Sequence, residues 1–210
     1  MNKYIYMIFT VALCSCGTPS IITVKNPDVS EKEYLLSENN TNFSTVGIVG
    51  SGFKLAQEEA QKLIKKKNDE RGRKLSNIRE ISVSKFKDDF GQEQYKATIN
   101  NSLLFRFDSY ELSDSTTNIL TKIIPIIKDM PTRLLIVGHT DSVGEDEYNL
   151  FLSRNRANSV AQFLIQNGID PQDIEQEGKG ERFPIATNAT KEGQAKNRRV
   201  EIFMYNKQEL

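Results

Sequence analysis

Residues 134–166 read LLIVGHTDSVGEDEYNLFLSRNRANSVAQFLIQ, and the change of pattern within them decides the fold. Leu134-Leu135-Ile136-Val137 is continuously apolar, as a strand buried inside a sheet must be. Gly138 to Glu147 is polar and predicts a loop. Tyr148 to Gln166 then carries Ala157, Val160, Ala161, Phe163 and Leu164 at helical spacing, and Gly168 suits a left-handed residue closing that helix. A strand, a loop and a helix in succession form one step of a layered domain in which helices cover a sheet.

The same step occurs upstream. Ser113 or Ser115 caps a predicted helix whose inner face is Ile119, Leu120, Ile123, Ile124 and Ile127, with Pro125 expected to bend it or shift its start. Downstream, Ile174 to Gly178 reads as a short strand, then comes a long loop, and Val200, Ile202 and Met204 alternate along a last strand. With an opening strand at Leu103 to Phe107 the order is β-α-β-α-β-β, an α+β fold with helices on one face of a small mixed sheet. Before it, Ile81 and Val83, then Tyr95, Ala97 and Ile99, alternate around Asp88-Asp89-Phe90-Gly91 and predict a β-hairpin. Leu55, Ala56, Ala60, Leu63 and Ile64 predict an amphipathic helix ending near Gly72, and its Lys65-Lys66-Lys67 run is read as a solvated face. Gly47 to Phe53 is a small-residue patch with no assigned role. Too few residues precede the last domain for the eight strands of a membrane barrel.

At the start of the chain, Lys3 and the apolar run Tyr4 to Leu13 have the form of a secretion signal, too short to span a bilayer. Leu13-Cys14-Ser15-Cys16 closes it and resembles the lipobox of bacterial lipoproteins, which implies a mature chain lipidated on Cys16. Residues 17–45 hold Thr18-Pro19-Ser20, Lys25-Asn26-Pro27-Asp28 and Glu38-Asn39-Asn40-Thr41-Asn42, turn-formers that predict a flexible tether of about 30 Å, or ~100 Å drawn straight. The expected division is a signal peptide at 1–15, a lipidated tether at 16–45, a helix plus hairpin of unknown role at 46–95, and the main domain at 96–207.

Lysine and arginine number 28, as do aspartate and glutamate, and this balance argues against a nucleic-acid partner. Cys14 leaves with the signal, so Cys16 has no cysteine to pair with. A single histidine and one lipidated cysteine cannot make a usual metal site, and no cofactor motif appears; Gly178-Lys179-Gly180 lacks the rest of a phosphate loop. His139 beside Asp141, Ser142 and Ser153 invites a hydrolase reading, but no Gly-x-Ser-x-Gly elbow occurs, so no catalytic residue is assigned.

Asp141 falls just past a strand end, where ligands tend to bind, and Asn149 and Arg156 are seven positions apart on the next helix, about two turns. A carboxylate, an amide and a guanidinium so placed can receive a zwitterion: ammonium on Asp141, carboxylate on Arg156, Asn149 between. From spacing alone, an ion pair of Asp141 with Arg156, or of Arg156 with Glu145 or Asp146, is the favoured account, since two charges and an amide are common at any loop–helix junction.

The run Gly138-His139-Thr140-Asp141-Ser142-Val143-Gly144, then Tyr148-Asn149 and Leu152-Ser153-Arg154-Asn155-Arg156-Ala157, resembles the signature of OmpA-like peptidoglycan-binding domains. The resemblance continues through Gly178, Gly180, Pro184-Ile185-Ala186, Asn188, Glu192-Gly193 and Asn197-Arg198-Arg199-Val200-Glu201-Ile202, begins at Leu104-Phe105-Arg106-Phe107-Asp108, and covers roughly residues 97 to 205. It implies a non-catalytic domain that grips the stem peptide of peptidoglycan, often at the zwitterionic end of diaminopimelate. Asp141 and Arg156 match the pair that holds the ligand; Thr140, Asn149 and Asp108 match residues lining the pocket. Arg198 or Arg199 completes it, strand alternation admitting only one of them. Outer-membrane lipoproteins of the Pal type carry this domain behind a lipidated cysteine, which agrees with Cys16 and implies a periplasmic domain tied to the outer membrane. Gly17, where an aspartate signals inner-membrane retention in enterobacteria, fits that destination. Two rival readings are a scaffold whose residues 45–95 recruit an envelope protein, and a peptidoglycan hydrolase using His139.

Overall fold

A computed structural model of the chain describes residues 20–26, 29–36, 47–100, 104–105 and 109–207, with side chains from residue 61 onward. It divides into two compact units, Met1–Ile64 and Lys65–Leu210. In the first unit β1 (Ser20–Asn26) and β2 (Val29–Leu36) form an antiparallel pair. This corrects the expectation of a flexible tether throughout 17–45. The run Ile21-Ile22-Thr23-Val24 is β-branched and favours extended backbone, a signal that the surrounding turn-formers concealed.

Helix α1 (Gly47–Ser76) begins in the first unit and ends in the second. There follow β3 (Ile81–Lys87), β4 (Glu93–Asn100), α2 (Asp114–Lys128), β5 (Thr132–His139), α3 (Asp146–Gln166), β6 (Ile174–Gly178), α4 (Lys191–Asn197) and β7 (Arg199–Asn206). The sheet order is β3-β4-β7-β5-β6, with β5 and β6 parallel and the other neighbours antiparallel. The predicted mixed sheet is therefore present, with the hairpin expected before residue 96 supplying two of its five strands.

The register explains the two faces. Val83, Ala97, Ile202 and Ile136 lie abreast on one side, as do Ile81, Ile99, Val200 and Gly138. Side chains alternate across a strand, so Lys96, Glu201 and Val137 point the other way. The first face is buried with Leu75 of α1, Ile78 just beyond it, five isoleucines and Leu120 of α2, and Ala157, Val160, Ala161 and Leu164 of α3. Arg71 of α1 is 2% exposed and donates to Asn206 Oδ1 at 2.8 Å and Thr132 Oγ1 at 2.5 Å, joining the helix to the end of β7 and the start of β5. Burial pulls its pKa down to about 10, which still leaves it charged at neutral pH.

The opening strand differs from the expectation. Leu104 is helical and Phe105 makes only an isolated bridge to Leu112, whereas β4, eight residues long, pairs along β7. Tyr95, Ala97 and Ile99 each fit the buried face, a pairing that only the partner strand makes visible. Helix α2 starts after Ser113 and runs through Pro125 on its exposed side. Gly168, at φ +84°, closes α3, donating to Ile165 O at 2.9 Å while Ile169 donates to Leu164 O at 3.1 Å.

The buried part of α1 is as much core as the sheet. Leu75→Ala should cost about 2–4 kcal/mol and lower the urea midpoint, while Leu63→Ala, at a position 40% exposed, should stay within about 0.5 kcal/mol.

Candidate functional site

The end of β5 is pressed against α3. A Cβ on Gly138 would stand 2.1 Å from the carbonyl oxygen of Ser153, so only glycine allows the strand this close. Beyond it, Lys179 N–H donates to Gly138 O and Thr140 N–H to Gly180 O, each at 3.0 Å, carrying the β5–β6 ladder into the following turns. Ser153 Oγ donates to Leu150 O and accepts from Gly180 N–H, both at 2.9 Å, so strand, helix and turn are joined at one point.

Asp141 follows. It is 7% exposed; its Oδ1 accepts from Val143 N–H at 3.2 Å and its Oδ2 from the Arg198 guanidinium at 2.5 Å. Asn149, in the first turn of α3 and 2% exposed, holds the loop shut from inside. Its Nδ2 donates to Glu181 Oε2 at 2.9 Å and approaches the carbonyls of Asp141 and Val143 at 3.3 and 3.2 Å. An amide nitrogen has two hydrogens, so the two carbonyls share one and the carboxylate takes the other. Asn149 thus fastens the loop through its donors, a different task from bridging Asp141 and Arg156.

Arg156 belongs to the same buried stripe of α3 and is 3% exposed. Its Nε donates to Ser109 O at 3.0 Å and its guanidinium lies 5.4 Å from the centre of the Phe105 ring. Asp146, one of the partners that spacing allowed it, is bonded by Arg182 at 3.0 Å. Thr140 is 4% exposed and its Oγ1 has no hydrogen-bond partner among the described residues. Asp108 and Cys16 lie outside the described residues.

Of the two consecutive arginines, Arg198 reaches Asp141. Arg199 starts β7 opposite His139, is 3% exposed, and turns to the other face of the sheet, where it donates to Glu201, Asn197 O and Phe183 O. On that face Glu201 collects Arg199 at 3.1 Å, Lys96 at 2.9 Å and His139 at 3.5 Å. Burial pushes the Glu201 carboxyl upward, but His139, Lys96 and Arg199 outweigh it and bring the pKa to about 2. Burial, aided by the nearby Arg199 charge, holds His139 below its usual value of 6.5. Gly138 faces Ser153, so His139, the next residue along the strand, is turned away from that serine.

Two organising residues escaped the sequence reading. Glu181 takes the Asn149 amide, and Asn197, fully buried, accepts from Ile185 and Ala186 N–H and donates to Ala186 O and Asn188 Oδ1. Asn197 stood within the recognised motif; Glu181 carried no signal except its place after Gly180.

Residues 104–198 match the OmpA family. Probable lipoprotein YiaD of Escherichia coli is 43% identical over 103 residues, 49% of this chain and 47% of that protein. Peptidoglycan-binding protein ArfA of Mycobacterium tuberculosis is 38% identical over 112 residues, 53% of this chain and 34% of its own. The chain thus spans about half the length, or less, of these relatives. Among solved structures, the cell wall anchor of the T6SS from Pseudomonas aeruginosa superposes with a TM-score of 0.56 at 28% identity, over 65% of this chain and 96% of that one.

The charges on the face of the sheet that carries Glu201 set a pH dependence. Glu201, with its folded pKa lowered from 4.5 to about 2, adds stability that is present above pH 4.5 and lost as pH falls toward 2. His139 acts in the same direction higher up, because below pH 6.5 the unfolded chain takes a proton that the buried imidazole resists. Urea midpoints should fall on acidification through both windows, and Glu201→Gln should flatten the lower one.

Proposed function

Because residues 104–198 are an OmpA family domain, we propose that the chain binds peptidoglycan non-covalently through its stem peptide, at the site where Asp141, Arg198, Asn149 and Arg156 are held. The observation that carries this reading is the Asp141–Arg198 pair, anchored at the end of β5 beside a helix stripe that also buries Arg156. Opposite charges fixed on rigid elements suit the two poles of an amino acid such as diaminopimelate, whose carboxylate takes parallel hydrogen bonds from a guanidinium. Thr140 lines the same turn, and Asp108 is proposed as a further wall. The names of two relatives support the reading, one called peptidoglycan-binding and the other a cell wall anchor.

The rest of the proposal is a tether. Cys16 carries lipid in the periplasm-facing leaflet of the outer membrane, and the domain holds the wall; a relative named as a probable lipoprotein supports the anchor. The domain performs no catalysis in this reading, and His139 serves the fold, since it is buried against Glu201.

Asp141→Ala or Arg156→Ala should abolish co-sedimentation with purified peptidoglycan while circular dichroism stays native. Undiminished sedimentation of the double variant would refute the site. Incorporation of labelled palmitate in cells should disappear in Cys16→Ser; persistent labelling excludes that cysteine as the anchor.

A further inference from the structure

The zwitterion scheme gives Asp141 the ligand's ammonium, yet in the folded chain both oxygens of that carboxylate are engaged, one by Val143 N–H and one by Arg198. A second carboxylate stands at the same place. Glu181 is half-buried in the turn after β6, and its Oε2 accepts from the Asn149 amide that also holds Asp141 O. The cations beside it are taken: Lys179 pairs with Glu177 at 2.6 Å and Arg182 with Asp146 at 3.0 Å. Among the described residues Glu181 forms no ion pair, so its charge is unanswered where solvent is already partly excluded.

A separate observation marks the spot. Thr140 is more than nine-tenths buried, its Oγ1 is unpartnered among the described residues, and its own N–H is bonded to the carbonyl of Gly180, the residue next to Glu181. Buried hydroxyls are ordinarily satisfied, so an orphan here points to a missing partner.

We propose that Glu181 is the specificity-determining carboxylate of this site and takes the ammonium of the bound amino acid, while Asp141 holds the Arg198 guanidinium toward the ligand's carboxylate. The assignment rests on the stem-peptide reading above. It makes the site selective for a free amine: the Asp141–Arg198 pair cancels its own charge, leaving Glu181 as the negative pole.

The test is calorimetric titration of the detergent-solubilised full chain with two probes. One is L-Ala-γ-D-Glu-diaminopimelate; the other is the same tripeptide acetylated on the side-chain amine. The unsubstituted protein should prefer the free amine by about tenfold or more, as one charge-assisted hydrogen bond provides. Glu181→Gln keeps an oxygen for the Asn149 amide and removes the charge. It should lose that preference while retaining its affinity for the acetylated peptide. A Glu181→Gln variant that still discriminates between the probes overturns the assignment, as does an unsubstituted protein that binds both equally. An unsubstituted protein that binds neither overturns the stem-peptide reading, and this assignment with it.

Discussion

The close approach of β5 to α3 at Gly138 and Ser153 is the contact on which the site depends. No side chain fits between that strand and the helix backbone, so the strand end, the first turns of α3 and the turn after β6 meet within hydrogen-bonding reach. Ser153 fills the junction with its hydroxyl rather than with bulk. Everything polar nearby is built outward from it: Thr140 on Gly180, Asn149 on the loop and on Glu181, Arg198 on Asp141. Sites on rigid elements keep their geometry because their own rotamers are locked by such packing.

The sheet separates two electrostatic systems. On the helix-covered side, Asp141 and Arg198 sit at the rim where β5 ends, and Arg71 lies at the other end, where β5 starts. On the other side, Arg199 and Lys96 pair with Glu201, and His139 lies 3.5 Å from the same carboxylate. The consecutive residues Arg198 and Arg199 serve one system each, because the start of β7 sends neighbouring side chains to opposite faces. Breaking a buried pair leaves an uncompensated charge, so the second cluster ties the register of β7 to that of β5 close to the site.

A wall-binding reading asks little chemistry of such a site. It needs fixed charges, a shaped turn and no reacting group, and the one histidine lies on the other face of the sheet, near Glu201. The N-terminal half of α1 and the β1–β2 pair belong to the other compact unit, whereas the end of α1 contributes Leu75, and the turn after it Ile78, to the core beneath the sheet.

The sequence by itself determined the elements that repeat. Periodicity placed α2, α3, β5, β6 and β7, the β3–β4 turn at Asp88–Gly91 and the cap at Gly168, because burial of one face imposes a spacing that survives without neighbours. It also nominated Asp141, Asn149 and Arg156 through a recognisable motif. Tertiary structure alone decided the opening strand, since Tyr95, Ala97 and Ile99 become central only when β7 lies beside them. It alone assigned Arg198 to Asp141 and Arg199 to Glu201, and brought Glu181 to Asn149 across 32 residues. Such pairings are set by which chain segments close-pack, and a hydrogen bond between distant residues leaves no period in the sequence to be read.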